Sequence, residues 1–178
     1  MKNLHATGAA LLMMVLVAVM VCCTTFPAPK TPGDTLLLLR EEFSKEIDDP
    51  TFGHYRLTIS DSSGKEVRTI DLSNSNRTRT ITGIPRGAYR ISQQQFVYDN
   101  GEESPKRAIG IPFSLMAGMI TFLDVKAVVR IFNPMNMSTG YHTVLQFERM
   151  SLDEQRAILD GYRLEENFAA WQLPLVLK

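Results

Sequence analysis

The sequence has little cysteine, little histidine and no excess of charge of either sign, and each shortage excludes a class of protein. Its 178 residues include two cysteines, adjacent at positions 22 and 23, and three histidines. Adjacent cysteines provide no disulfide framework across a domain, so the fold must depend on a hydrophobic core. The 19 basic and 19 acidic side chains give a formal net charge of zero, which creates no long-range field. We therefore expect no nucleic-acid partner, because such partners are held largely by basic side chains.

The N-terminal residues carry the clearest signal in the chain. Lys2 precedes an apolar run from Ala9 to Val21, which ends at Cys22 and Cys23. A positive start, an apolar middle of about 7–15 residues and a small-residue exit are typical of a secretory signal peptide, whereas a membrane-spanning helix needs about 20 apolar residues. The pattern predicts an export signal over residues 1–22. The alternatives are an uncleaved short membrane anchor and an ordinary signal that is cut nearby.

This segment resembles bacterial lipoprotein signal peptides, in which a small residue stands directly before the modified cysteine. The bulky Val21 precedes Cys22, whereas the small Cys22 precedes Cys23, so Cys23 is the better acceptor and Cys22 the alternative. The resemblance implies triacylation and a place in the cell envelope, facing the periplasm or the cell exterior. Two or more acyl chains hold a protein stably on a membrane, where one is marginal. The expected partners are therefore the membrane and an unidentified envelope protein.

A proline-rich segment follows the signal and reads TTFPAPKTPGD over residues 24–34. Proline extends the backbone towards polyproline II and removes hydrogen-bond donors. Residues 23–34 are therefore predicted to form a semi-rigid tether. Removal of residues 1–22 from the 178 leaves 156, which is enough for one domain.

Short apolar or alternating runs then recur between Gly, Pro, Asn and Asp over residues 35–150, which predicts an antiparallel β-sandwich. The first run, TLLLLR at 35–40, fits a fully buried strand or the start of a helix through Ile47. We favour a strand that ends near Glu41. Further strands are predicted at 55–60, 67–72, 77–81, 88–96, 109–115, 119–123, 126–132 and 141–147. Ala117 and Gly118 are predicted to join two of these strands as a hairpin, and Asp124 to separate two others.

The C-terminal residues 151–178 change from the period of a strand to that of a helix. Ser151-Leu-Asp-Glu154 has the S-x-x-E form in which the serine and glutamate side chains bond the first free backbone amides of a helix. A helix is therefore predicted to begin there. Phe168 and Trp171 are expected to anchor the tail that follows to the sandwich.

One internal stretch, TITGIPRGAYRI at residues 80–91, resembles the leucine-proline-x-glycine-x-tyrosine turn of prealbumin-like sandwiches, including carboxypeptidase regulatory-like domains. In such a turn Ile84 fills the core, Pro85 presets the backbone, and the Tyr89 hydroxyl reaches for a backbone group. The implied fold class is mainly β: an antiparallel prealbumin-like β-sandwich with a C-terminal α-helix. Folding alone accounts for the motif, which implies no reaction.

Basic residues surround this turn and form the candidate ligand site. The candidates are Arg77, Arg79, Arg86 and Arg90, with Tyr89 beside them. Guanidinium groups suit a phosphate, the acid of a glycan or a lipid headgroup. The alternative interpretation is a solvated strand face.

Residues that serve catalysis or metal binding are sparse. His54 and His142 lie far apart and form no H-x-x-x-H spacing. The acidic tract with Glu46, Asp48 and Asp49 lacks the D-x-D-x-D-G spacing of a calcium loop. No serine has a G-x-S-x-G context. We therefore expect no catalytic residue, no metal and no cofactor.

Three functional hypotheses follow from these observations. The first is a non-enzymatic, lipid-anchored cell-envelope protein that acts as a structural or partner-binding module. The second is a small-ligand or glycan-binding module, which needs the four arginines and Tyr89 to converge on a concave surface. The third is a hydrolase, which needs His54 or His142 within hydrogen-bond reach of an acid and a nucleophile.

Overall fold

A computed structural model describes residues 26–45, 53–132 and 142–177. The predicted signal peptide, Cys22, Cys23 and the acidic tract at 46–49 lie outside the described residues. The described strands are β1 (Leu36–Lys45), β2 (His54–Asp61), β3 (Glu66–Asp71), β4 (Arg77–Thr82), β5 (Gly87–Val97), β6 (Arg107–Leu115), β7 (Ile120–Phe132) and β8 (His142–Arg149). One α-helix, α1 (Leu152–Tyr162), follows them in this part of the chain.

The strands form two sheets that pack as a sandwich. Sheet A has the order β4-β1-β7-β8 and sheet B has the order β3-β2-β5-β6. The prediction of a mainly β, two-sheet domain with a C-terminal helix is confirmed. The prediction that it is wholly antiparallel is wrong, because β1 and β7 pair in parallel at the centre of sheet A. A parallel pair needs a long crossover, and strands β2 to β6 lie between these two strands in the chain.

The leucine run forms the first half of β1 and is buried on both faces. Successive side chains of a strand point to opposite faces, so Leu37 and Leu39 face sheet B while Leu36 and Leu38 face away from it. This explains a continuous apolar run where most strands here alternate. The predicted end of the strand near Glu41 is wrong, since pairing with β7 continues to Lys45.

Strand β7 unites two segments that were predicted as separate strands. Asp124 does not interrupt it, because the side chain is exposed on the outer face of sheet A while its carbonyl accepts the Met150 amide at 2.9 Å. The predicted hairpin at Ala117 and Gly118 is also wrong. Strand β6 pairs with β5 in sheet B, so this turn carries the chain from one sheet to the other.

Helix α1 begins as predicted, at a capping box. The Ser151 hydroxyl accepts the Glu154 amide at 3.1 Å, and a Glu154 carboxylate oxygen accepts the Ser151 amide at 2.7 Å. The bond from the Ser151 amide also lowers the pKa of Glu154. No described helix is long and apolar enough to cross a membrane.

A second hydrophobic cluster covers the outer face of sheet A. Leu159 of α1, together with Phe168, Trp171 and Leu177 of the tail, packs on Leu36, Leu38 and Ile120 of the sheet. The expectation that Phe168 and Trp171 anchor the tail is confirmed. The described chain therefore has three layers: the helix with the tail, sheet A and sheet B.

The proline-rich segment belongs to the outermost of these layers. Phe26 is 2% exposed, and its ring centroid lies 5.0 Å from that of Tyr162 and 5.1 Å from that of Phe168. The Trp171 indole N–H donates to the Pro27 carbonyl at 2.7 Å. The predicted tether over residues 23–34 is thus corrected. From Phe26 onwards the segment is attached to the body, because an aromatic side chain in a proline-rich stretch still gains by burial.

We expect Phe26→Ala to lower the free energy of unfolding by about 3–5 kcal/mol, as for other large-to-small changes in a core. Urea unfolding followed by the fluorescence of Trp171, the single tryptophan, measures this loss. The matched control is Leu164→Ala at a side chain that is 98% exposed, where the change is about 0.5 kcal/mol or less. Equal effects of the two substitutions would contradict the packing of Phe26.

Candidate functional site

The turn between β4 and β5 has the structure that the motif predicts. Ile84 is buried in the core between the sheets, and the Tyr89 hydroxyl donates to the Pro85 carbonyl at 2.8 Å. The Tyr89 ring stacks on Phe113 of β6 with centroids 5.9 Å apart. Gly87 has a φ of 156°, a backbone conformation that residues with a side chain rarely adopt. The Tyr89 ring and hydroxyl therefore stabilise the turn.

The five residues predicted to bind a ligand lie on different surfaces. Arg77 and Arg79 are on β4 at an edge of sheet A, whereas Tyr89 and Arg90 are on β5 in sheet B. Arg86 is exposed in the turn between these strands. The described structure brings Arg77 and Arg79 together, and separately Tyr89 and Arg90.

Arg77 and Arg79 form ion pairs with a buried carboxylate, that of Glu41, which is 1% exposed. Its Oε2 accepts the Ser73 amide at 2.9 Å, the Ser73 hydroxyl at 2.5 Å and the Arg77 Nε at 3.4 Å. Its Oε1 accepts the Arg79 Nε. A buried charge is costly unless it is paired and hydrogen-bonded, and here both carboxylate oxygens have donors.

The register of the strands places these groups together. Glu41 is opposite Arg77, and Leu39 is opposite Arg79, so all four side chains lie on the face of sheet A that points towards sheet B. Arg79 also donates through Nη2 to the Asp71 carbonyl of β3 at 2.6 Å. The Glu41 cluster, defined as Glu41, Ser73, Arg77 and Arg79, therefore joins the two sheets at one edge.

A groove lies on the outer face of sheet B. It has a volume of about 390 Å³ and is lined by Thr58, Ser60, Glu66, Arg90, Ser92 and Ala108, among others. Thr58 and Ser60 face outwards because Leu57 and Ile59, which alternate with them, face the core. We call this the sheet B groove.

A bulge at Ser92 shapes the floor of the groove. The registers of β5 with β2 and with β6 both shift at this residue. The Ser92 hydroxyl lies 2.7 Å from that of Ser60 and donates to the Thr58 carbonyl at 3.2 Å. Bulges bend a strand and redirect side chains, and they are over-represented beside active sites. The result is a row of small hydroxyl side chains bordered by the cation Arg90.

Arg90 also borders a second, smaller depression of about 180 Å³ with Asp61, Ala88, Tyr89 and Pro112. Hydrogen bonding by the Ser63 hydroxyl lowers the pKa of Asp61, so this carboxylate is charged at neutral pH. Arg90 thus has a row of neutral hydroxyls on one side and an anion on the other. The Arg90 guanidinium can bond an acidic group of a ligand, and the hydroxyls can bond its neutral polar groups.

A hydrolase would require His54 or His142 beside an acid and a nucleophile, and the two histidines have different surroundings. His54 Nε2 lies 3.5 Å from Asp71 Oδ1, but Asp71 is bonded to Arg56, whose Nε donates at 2.6 Å. That bond is the main cause of the lowered pKa of Asp71. In the described chain, no serine, threonine or cysteine side chain is hydrogen-bonded to His54. His142 stacks on Phe132 with ring centroids 6.2 Å apart.

The described residues contain no group of three or more His, Cys, Asp or Glu side chains that could hold a metal ion. The predicted lipidation site, Cys23 or alternatively Cys22, lies outside the described residues. The chain matches no protein-family model, no curated protein and no solved structure.

Sequence reasoning missed the Glu41 cluster, although a signal for it was present. In LLLLREEF, Leu37, Leu39, Glu41 and Phe43 share the period of one strand face, so a carboxylate takes a place in an apolar series. Such a residue indicates a buried, paired charge. The bulge at Ser92 had no comparable signal, because ISQQQF reads as an ordinary polar strand.

We expect a double-mutant cycle to show stronger coupling of Glu41 with Arg79 than with Arg77. Loss of one partner of a buried pair costs about 3–5 kcal/mol, and Glu41→Gln leaves the cations without their anion. Arg77 is 46% exposed in its side chain, against 25% for Arg79, so its pairing is screened more by water.

The cycle uses Glu41→Gln, Arg79→Gln and Arg77→Gln, with free energies of unfolding from urea titrations. Equal coupling for the two arginines would contradict the geometry of this cluster. Coupling near zero for both would show that Glu41 does not join the sheets.

Proposed function

We propose that this chain is an exported, lipid-anchored protein of the cell envelope that acts as a non-enzymatic module for binding a partner. The apolar run over residues 9–21 and the cysteine at position 23 support export and anchoring. The placement of the two histidines supports a binding rather than a catalytic role.

The observation that carries the binding role is the groove on the outer face of sheet B. Helix α1, Phe26 and the tail cover the outer face of sheet A at the start of β1 and of β7. The outer face of sheet B instead carries the sheet B groove, with Arg90 at its border. Binding sites are usually concave surfaces in which a few polar groups fix the orientation of the ligand.

We also propose that the sandwich is of the prealbumin-like class. The two four-stranded sheets formed by the described residues support this, as does the turn with Ile84 in the core and Tyr89 bonded to Pro85. The class provides a rigid support for a binding surface. It does not by itself specify a ligand.

The first test is the intact mass of the protein extracted from membranes, compared with that of a Cys23→Ser variant. We expect the wild-type chain to lack residues 1–22 and to carry two or three acyl chains. The variant should carry none and should leave the membrane fraction, because the anchor would be its main attachment.

A Cys22→Ser variant is the matched control, since serine is also small and precedes the same acceptor. It should be processed and acylated like the wild type. An unmodified wild-type mass would refute the lipid anchor. Acylation of the Cys23→Ser variant would show that the modified cysteine is Cys22.

A second candidate function is the binding of a small acidic ligand or glycan, with the site moved from the arginine cluster to the sheet B groove. The row of Thr58, Ser60 and Ser92 hydroxyls beside Arg90 favours it. Arg77 and Arg79 are no longer candidates for this role, because both bond Glu41.

We expect Arg90→Ala to weaken binding of a uronic-acid oligosaccharide by about tenfold or more, as for loss of a hydrogen bond to a charged group. Isothermal titration calorimetry measures the change. Arg86→Ala is the matched control, because this arginine is exposed in the turn outside the groove residues. Equal affinities of the wild type and Arg90→Ala would exclude this site.

A further inference from the structure

Two leucines are exposed near the point where the folded body meets the N-terminal segment. Leu164 is 98% exposed and Leu175 is 85% exposed. Single exposed apolar residues are common on protein surfaces. These two are distinguished by their position, because both belong to the C-terminal segment that is hydrogen-bonded to Phe26 and Pro27.

The hydrogen bonds of that segment limit how far Leu164 and Leu175 lie from Phe26 and Pro27. Asn167 donates through Nδ2 to the Phe26 carbonyl at 3.3 Å, and Leu164 precedes Asn167 by three residues. Trp171 donates to the Pro27 carbonyl at 2.7 Å, and Leu175 follows Trp171 by four residues. An extended chain spans about 3.3–3.6 Å per residue, so each leucine lies within about 10–15 Å of a residue that is bonded to Phe26 or Pro27.

The same limit applies to the anchor. Cys23 precedes Phe26 by three residues, which span about 10–11 Å at most. Because Phe26 is buried in the body, a lipid on Cys23 would hold this end of the body against the bilayer. A long spacer, which would let the domain turn freely, does not fit the attachment of Phe26.

We propose that this end of the protein rests on the membrane, with Leu164 and Leu175 inserted among the lipid headgroups. The proposal depends on the lipid anchor under the proposed function and adds an orientation to it. The sheet B groove would then be held on a body of fixed orientation rather than on a mobile tether.

The contact should be apolar rather than electrostatic. Arg163 precedes Leu164, but it is paired with Asp160 at 2.7 Å, and Glu165 and Glu166 follow. Basic residues near a surface are what makes binding depend on anionic lipid. With these acids present, anionic lipid should not strengthen the insertion.

The test places an environment-sensitive fluorophore at Leu164→Cys or Leu175→Cys in the lipidated protein. The chain has no cysteines besides Cys22 and Cys23, so removal of residues 1–22 and acylation of Cys23 leave the new thiol as the single reactive one. The labelled proteins are reconstituted into phosphatidylcholine vesicles, with and without phosphatidylglycerol.

The control position is Asp99, which is exposed after the far end of β5. Strand β5 begins close to the start of β1, because the Thr35 hydroxyl just before β1 donates to the carbonyl of Ile84, which lies just before β5. A strand of 11 residues spans about 35 Å, so Asp99→Cys reports on the opposite end of the body.

We expect labels at positions 164 and 175 to show blue-shifted emission and at least fivefold slower quenching by iodide, and the label at 99 to stay in water. Leu164→Asp, at a position open enough to tolerate it, should restore quenching at 175. The urea unfolding curve of that variant checks that it folds.

Acyl chains found by mass together with equal quenching at all three positions would overturn the orientation and leave the lipid anchor standing. Absence of acyl chains would overturn both. A blue shift in the soluble Cys23→Ser protein without vesicles would show that a second copy of the chain covers the leucines, which also overturns the proposal.

Discussion

Strand β1 has to bury apolar side chains on both of its faces, and the layers of the molecule follow from this requirement. A sheet with a single buried face would leave half of its leucine run in water. Leu37 and Leu39 are covered by sheet B, whereas Leu36 and Leu38 are covered by the helix and the tail. The central position of β1 in sheet A adds the second condition, that both of its edges are paired.

Charge is distributed around this apolar centre according to burial. On the inner face the apolar series of β1 gives way to Glu41, and the basic side chains of β4 supply its partners. On the outer face, beyond the helix, Lys126 lies 3.1 Å from Glu42 and 3.6 Å from Glu154. The Glu154 contact connects the first turn of α1 to β7. Basic side chains of β4 and β7 are thus paired within the fold.

The period of the strands could be predicted from the sequence because it is a local property. Alternation located the strands, and the S-x-x-E pattern located the start of the helix. Pairing is not local. The parallel pairing of β1 with β7, the passage from one sheet to the other at Gly118 and the continuity of β7 across Asp124 depend on partners far away in the chain.

The site was predictable only in part, for the same physical reason. Four arginines close together in sequence suggested one basic surface, yet a turn between two sheets sends the side chains apart. Phe26 was hidden in a proline-rich segment whose composition indicates an extended chain. Composition describes the average residue of a segment, whereas attachment to the body needs only one aromatic ring and a cavity that fits it.

The covering of the leucine run by residues late in the chain has a consequence for the order of folding. Synthesis delivers the N-terminus first, so the leucine run exists long before β7 and Trp171, which cover it. Four consecutive leucines in a strand-forming segment are prone to associate with other chains while they wait. Pairings between distant segments also form slowly. The leucine run therefore stays exposed until β7 and the tail can fold onto it.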